Sequence, residues 1–245
     1  MSRSSIKLPL LLFAMLFPTI MAWLYLDVAS PAPGSKNAAN PLMVGLYAGS
    51  KVIQFLLPLI AWRIASPERL RWSRPQWSGL WPALSFGVAS FIGIVGVYFL
   101  VLRGHGLVAD MPAEIRKKIL GMGIGSPLRY ICFAIFVSTA HAAFEEYYWR
   151  AYVFRGLRER LPSTASILLS ALSFTGHHVI VIAAYQPNRF WTGVLPLCAG
   201  VFLGGAIWAW LCDRYGTIYP AWVSHALIDI AIMIVGYDMA FHGVN

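Results

Sequence analysis

Charge is what this chain has least of. Only 12% of its 245 residues are Asp, Glu, Lys or Arg, about half of the ~25% usual in a soluble domain. A water-soluble core of this length does not need 58% apolar residues, so most of the chain is expected to dissolve in lipid. Acidic residues are scarcest, 10 against 19 basic ones, for a formal net charge of +9. That excess does not point to nucleic acid, because the basic residues fall between the apolar runs. Cysteine is also sparse. Cys132, Cys198 and Cys212 lie within or at the ends of apolar runs without CxxC spacing. Neither a disulfide framework nor a thiolate zinc site is indicated. Low-complexity tracts and clear internal repeats are lacking.

Long apolar runs are abundant. They cover residues 8–26, 42–62, 80–102, 128–149, 164–184, 190–212 and 218–236. Each is close to the ~20 residues that cross ~30 Å of hydrocarbon as a helix, and helix bundles tolerate their internal Pro and Gly. The expected fold class is all-α: a polytopic transmembrane bundle of about seven spans. The first run, after Arg3 and Lys7 and before Val28-Ala29-Ser30, resembles a cleaved signal peptide. Its apolar core is longer than a signal h-region, so a retained span is favoured. Lys51 is an interior exception in the second run.

With the N-terminus inside, the inner segments hold Arg3, Lys7, Arg63, Arg69, Arg71, Arg74, Arg150, Arg155, Arg158, Arg160 and Arg214. The outer segments hold the smaller set Lys36, Arg103, Arg116, Lys117, Lys118, Arg129 and Arg189. This bias supports an N-in, C-out topology, in the cell (inner) membrane, with anionic lipids as partners of the excess charge. Residues 1–124 form a three-span region and 125–245 a helical core, within one compact membrane domain. Residues 110–120 read as a short interfacial helix, with Ile115, Ile119 and Leu120 near one face and Arg116, Lys117 and Lys118 toward the other. Gly200-x-x-x-Gly204 reads as close helix packing, and the tryptophans mostly as interface anchors.

Ionisable groups inside spans cost ~2.5–3.5 kcal/mol each on insertion scales, so they are functional candidates. The first three spans carry almost none. The fourth, fifth and seventh carry His141, Glu145 and Glu146; His177 and His178; and His225 and Asp229. His141 and Glu145 are four residues apart and share a helix face, as do His225 and Asp229. Glu146 and Arg150 have the same spacing, with the acid N-terminal, the better orientation for a pair. Glu145 and Glu146 point about 100° apart, so one is expected to pair with Arg150 while the other faces inward. If the fourth span reaches the inner surface near Arg150, helix rise puts Glu145 about 8 Å deep and His225 about 10 Å. His178 would lie about 20 Å deep unless its helix tilts or starts later. A polar chamber in the inner half of the bilayer follows.

A Glu in such a dry pocket suits general-base work near neutral pH, a neighbouring His can share the activation of water, and a second His can donate to a developing oxyanion. That set fits amide hydrolysis without a covalent intermediate. Ser173 and Thr175 are alternative nucleophiles. Tyr147, Tyr148 and Trp149 either line substrate or sit at the inner interface.

These residues carry a resemblance. "EEYYWR" matches an EExxxR pattern, "FTGHH" from Phe174 matches FxxxH, and "HALID" from His225 matches HxxxN/D. In this order on late spans, over about residues 125–240, they resemble the CPBP family of intramembrane proteases, which includes the Rce1-type CAAX prenyl endopeptidases and Abi-like proteins. The resemblance implies that Glu145 and His178 activate water and that His225 and Asp229 stabilise the oxyanion. Glu146 and Arg150 would be supporting residues, with His141 and His177 as polar neighbours. The prenyl-protein enzymes tend to have Asn where this chain has Asp229. An ionised Asp accepts rather than donates, so Asp229 either orients His225 or carries a proton. The implied partner is a membrane-associated, CAAX-like lipidated peptide, and no cofactor is required. Two other readings stand beside this one. Glu145, His178 and His225 suit zinc with an open fourth position, although H-E-x-x-H is lacking. Buried Glu, His and Asp also build proton relays, transporters or non-proteolytic scaffolds of the immunity type.

Overall fold

The computed structural model of the chain describes residues 7–28, 41–65, 77–186 and 188–243. Arg3, Lys36, Arg69, Arg71, Arg74 and most of the connector at 27–41 lie outside them. Among the described residues all regular structure is helical, and seven helices are long and apolar enough to cross a membrane. We label the helices α1 (Leu8–Leu26), α2 (Pro41–Arg63), α3 (Leu80–Leu102), α4 (Met111–Gly121), α5 (Pro127–Arg158), α6 (Ser163–Ala183), α7 (Phe190–Tyr215) and α8 (Tyr219–Phe241). Only α4 is too short to span. Proline sits in the first turn of α1, α5 and α8, where its missing N–H would have had no partner in any case. At α5, the Ser126 hydroxyl also accepts from the Arg129 N–H.

The helices pack as one interleaved bundle. The most extensive contacts join α3 to α8 and α6 to α7, and α1 lies against α6 and α2. Two close approaches need glycine. A Cβ on Gly87 of α3 would meet Leu227 at 2.8 Å and the Ser224 Cα at 3.2 Å. One on Gly205 of α7 would meet Phe174 at 3.2 Å and the Ala171 Cα at 3.4 Å. The expected Gly200-x-x-x-Gly204 contact is therefore displaced by one residue: a Cβ on Gly200 would meet nothing within 4 Å. The helix rotates so that Gly205, not Gly200, faces α6.

The fourth span differs most from expectation. It runs on past Arg150 to Arg158, so Arg150 is not at a membrane surface but fully buried in protein. It is also wound unevenly. Val137–His141 and Tyr147–Phe154 form wide π turns, and the short α stretch Ala142–Glu146 between them carries both glutamates. Such bulges recur at functional sites. The Thr139 carbonyl in the first wide turn accepts from the Trp222 indole N–H of α8, at 2.9 Å.

The core gathers Tyr148, Trp149, Val153, Phe174, Trp208 and Leu211, with Leu11 and Ala14 from α1. Tyr148 and Trp149 thus neither line a chamber nor anchor at an interface. Both are fully buried, and the Tyr148 hydroxyl donates to the Ala14 carbonyl at 2.7 Å. Trp81 and Trp191 are strongly exposed, as lipid-facing or interface residues should be. The expected interfacial helix is α4, but its basic face is not all solvated. Arg116 donates to the carbonyls of Ala240 and Gly243 at the end of α8, at 2.8 and 3.0 Å, and Leu120 is exposed instead. At the same end Arg103 makes a two-pronged bond to Asp238, at 2.9 and 3.1 Å. This bond raises the Arg103 guanidinium above its ordinary value.

Candidate active site

Glu146 and Arg150 sit one turn apart on α5, and both are fully buried. Arg150 Nη1 donates to Glu146 Oε1 at 2.9 Å, and Nη2 donates to the Gly205 carbonyl at 3.2 Å. The guanidinium lies over Phe174 and Trp208, 4.6 and 5.1 Å from the ring centres. Taking both charges out of water costs several kcal/mol per ion, so the pair persists only because hydrogen bonds and aromatic faces compensate it. The same Glu146 oxygen accepts from His225 Nδ1 of α8, at 2.8 Å. His225 is also stacked on Trp208, with centroids 4.0 Å apart and planes 18° apart. The Trp208 N–H donates to Ser224 at 3.0 Å. Glu146 therefore fixes the ring of His225 and aims Nε2 away from itself. That nitrogen lies 4.0 Å from Glu145 Oε2 and 3.6 Å from Asp229 Oδ1.

Glu145, about 100° round the helix from Glu146, is also buried and faces the histidines. Its Oε1 lies 3.7 Å from His141 Nε2 and 3.8 Å from His177 Nε2. His178 is held from its other side: Nδ1–H donates to the Phe174 carbonyl at 2.9 Å, which leaves Nε2 with its lone pair. His177 stacks on Trp149 with planes 1° apart. His177 and His178 have ring centres 4.1 Å apart, and both rings belong to the cluster. His178 and His225 both lie against Phe174, with ring centres 4.5 and 6.1 Å from it, so the two helices bring them to the same place despite the difference from simple helix rise.

One expectation needs correction. The first three spans do contribute. Lys51 of α2 places Nζ 3.6 Å from Glu145 Oε1 and 3.2 Å from Gln54 Oε1. The signal was visible, a lone cation in an apolar run with a polar residue one turn on, but its partner lies on a helix far away in sequence. Among the described residues, Glu145, His177 and His178 each bring one potential ligand atom within 4.8 Å of the others, and His225, bonded to Glu146 through Nδ1, keeps Nε2 4.0 Å from Glu145 Oε2. Ser173 and Thr175 bond carbonyls of their own helix, at 2.9 and 2.8 Å, and take no part in the cluster. A small hollow borders the site on the side of α1 and α2, lined by Tyr25, Ser50, Lys51, Gln54 and His177 with the apolar Phe17 and Met21.

No curated protein and no solved structure matches the chain. Residues 127–231 match the family model described as type II CAAX prenyl endopeptidase Rce1-like. The match takes in the site residues of α5, α6 and α8 and leaves out Lys51. Over residues 127–231, less than half of its length, the chain is similar to the Rce1-like family of type II CAAX prenyl endopeptidases.

Proposed function

We propose that the chain is an intramembrane endopeptidase that hydrolyses a peptide bond of a membrane-associated, CAAX-like lipidated substrate. One observation carries the proposal: Glu145 and the imidazoles of His177, His178 and His225, drawn from α5, α6 and α8, converge on one buried place. Glu145 takes a proton from a water, which the free Nε2 of His178 helps to orient. The water oxygen adds to the scissile carbonyl carbon, and charge develops on the carbonyl oxygen. His225 Nε2 donates to that oxygen while Glu146 holds the ring from Nδ1 and Asp229 faces it at 3.6 Å. Collapse of the adduct breaks the C–N bond, and Glu145 returns its proton to the leaving amine. The proposed topology is N-in, C-out, with the site reached from the cytoplasmic half.

The test uses protein reconstituted in liposomes with a panel of lipid-anchored peptides. Wild type should cleave at least one. Glu145→Ala and His178→Ala should each lose 10²-fold or more, the usual scale for an acid–base group, while keeping the wild-type unfolding temperature in detergent. Full cleavage by both variants overturns the mechanism.

A metal-assisted version has one observation in its favour. Glu145, His177 and His178 offer a carboxylate and two imidazoles, a donor set that suits zinc with a position left for water. The Phe174 carbonyl behind His178 is the kind of outer partner that fixes a ligand tautomer. A metal there would lower the pKa of its bound water and polarise the carbonyl. Lys51 weighs against it, because its ammonium already places a cation 3.6 Å from the same carboxylate. We expect activity to survive a strong chelator and elemental analysis to find no stoichiometric zinc. Loss of activity on chelation with recovery on zinc would reverse that choice.

A further inference from the structure

A lysine ammonium within a membrane span needs a reason to be there, and the hydrolysis described above does not use Lys51. Snorkelling is not the reason. By helix rise Lys51 lies about 15 Å from the start of α2 at Pro41 and about 18 Å from its end at Arg63, too far for its side chain to reach either interface. Instead α2 is set against α5. Phe55, one turn on from Lys51, stacks on Phe144 with centroids 4.9 Å apart and meets His141 edge-on at 5.9 Å. That register brings Lys51 Nζ to 3.6 Å from Glu145 Oε1, and Gln54 Oε1 accepts from the ammonium at 3.2 Å.

The two glutamates are surrounded differently. Glu146 Oε1 accepts from His225 and Arg150 at 2.8 and 2.9 Å. Around Glu145, Lys51 Nζ, His141 Nε2 and His177 Nε2 stand 3.6, 3.7 and 3.8 Å from Oε1, and His225 Nε2 stands 4.0 Å from Oε2. These separations exceed a hydrogen bond, so the carboxylate is attracted while its lone pairs stay open to a water proton. Three of the four neighbours are imidazoles, ordinarily neutral near pH 7, and only Lys51 brings an ammonium. The same carboxylate is one corner of the Glu145, His177 and His178 donor set. A zinc ion bound to Oε1 at about 2.0–2.2 Å would lie within about 6 Å of Nζ, a dication facing an ammonium across one oxygen in a low dielectric.

We propose that Lys51 is the positioning cation of this site: it holds Glu145 toward the attacked water and keeps a divalent metal off the donor set of Glu145, His177 and His178. The first half rests on the peptidase reading, and the second needs no substrate to be tested. Lys51 acts through Glu145 and touches neither the water nor the peptide. Without it the Oε1 corner loses its nearest partner, the carboxylate turns among three imidazoles, and the donor set is free to close on an ion.

The experiment reads metal and catalysis separately. Zinc is titrated into tag-free protein in detergent near neutral pH, followed by calorimetry and by elemental analysis after gel filtration. Lys51→Met should take up one zinc per chain at least 100-fold more tightly than wild type, and Lys51→Arg should bind as weakly as wild type. Adding Glu145→Gln or His178→Ala to Lys51→Met should abolish the uptake. With a peptide that wild type cleaves, and chelator present, Lys51→Met should lower kcat at least 10-fold with KM within about 3-fold, and Lys51→Arg should recover most of the loss. Equal zinc affinity in wild type and Lys51→Met overturns the proposal, as does uptake that survives Glu145→Gln. An unchanged kcat in Lys51→Met, or a loss confined to KM, overturns it too. So does a kcat that Lys51→Arg leaves as low as Lys51→Met, since the role would then be one of shape and not of charge. If Lys51→Met does not fold, Lys51→Gln decides on the same readouts. If wild type cleaves no peptide, the peptidase reading fails by itself, and the zinc titrations decide whether Lys51 guards the carboxylate.

Discussion

At the scale of residues, two adjacent glutamates do different work because a helix turns by about 100° between neighbours. Glu146 is enclosed by Arg150 and His225, while Glu145 faces the other imidazoles and Lys51. Breaking the enclosed pair should be severe. Glu146→Ala leaves a buried guanidinium without its carboxylate, and a loss of roughly 3–5 kcal/mol is expected from unfolding in detergent. The double change Glu146→Met with Arg150→Met should recover much of that stability but none of the activity, since His225 loses its anchor. Arg150→Lys should fall short as well, because one ammonium does not reproduce the fork that reaches both Glu146 and Gly205. The i,i+4 spacing made the Glu146–Arg150 pair legible in the sequence. Helix spacing also set His141 beside Glu145. What spacing could not show is contact across helices. His225 and Glu146 are 79 residues apart, and nothing local says which carboxylate a distant ring will choose. The doubled His177-His178 was ambiguous for a similar reason. Two rings on one edge of α6 can both turn toward a third helix, and here they do.

At the scale of elements, position on a helix decides which small residue matters. Gly205→Val should cost about 1–3 kcal/mol by overpacking, because its Cβ would press on Phe174 and on the Ala171 backbone. It should also slow cleavage, since Phe174 supports His178 and touches His225. Gly200→Ala should be neutral in both measurements, with open space around it. The small-x-x-x-small pattern indicated that α7 packs closely but not on which side, because the face depends on a rotation that only the neighbouring helix fixes. The end of α5 was equally hidden. Arg150 looks like a boundary residue by charge alone, yet the helix continues for two more turns through the π-wound Tyr147–Phe154 stretch. Wide turns leave no mark in hydropathy.

At the scale of the whole molecule, seven spans were readable from length and apolarity, the two properties a bilayer tests. Their arrangement was not, because helices that are greasy all round show no preferred face. The structure ties the early helices to the late ones: Tyr148 bonds the α1 backbone, Gly87 of α3 abuts α8, and Lys51 of α2 meets Glu145. Residues 125–245 expressed alone are therefore expected to show no cleavage in liposomes, and co-expression with residues 1–124 is expected to restore it. Lys51 belongs to the part outside the stretch that matches the family. Two relatives can thus agree at every position of the matched stretch and still differ beside Glu145, because Lys51 comes from an upstream helix. Sorting such proteins by their shared motifs would group them by three late helices and miss the cation that an early one brings to Glu145.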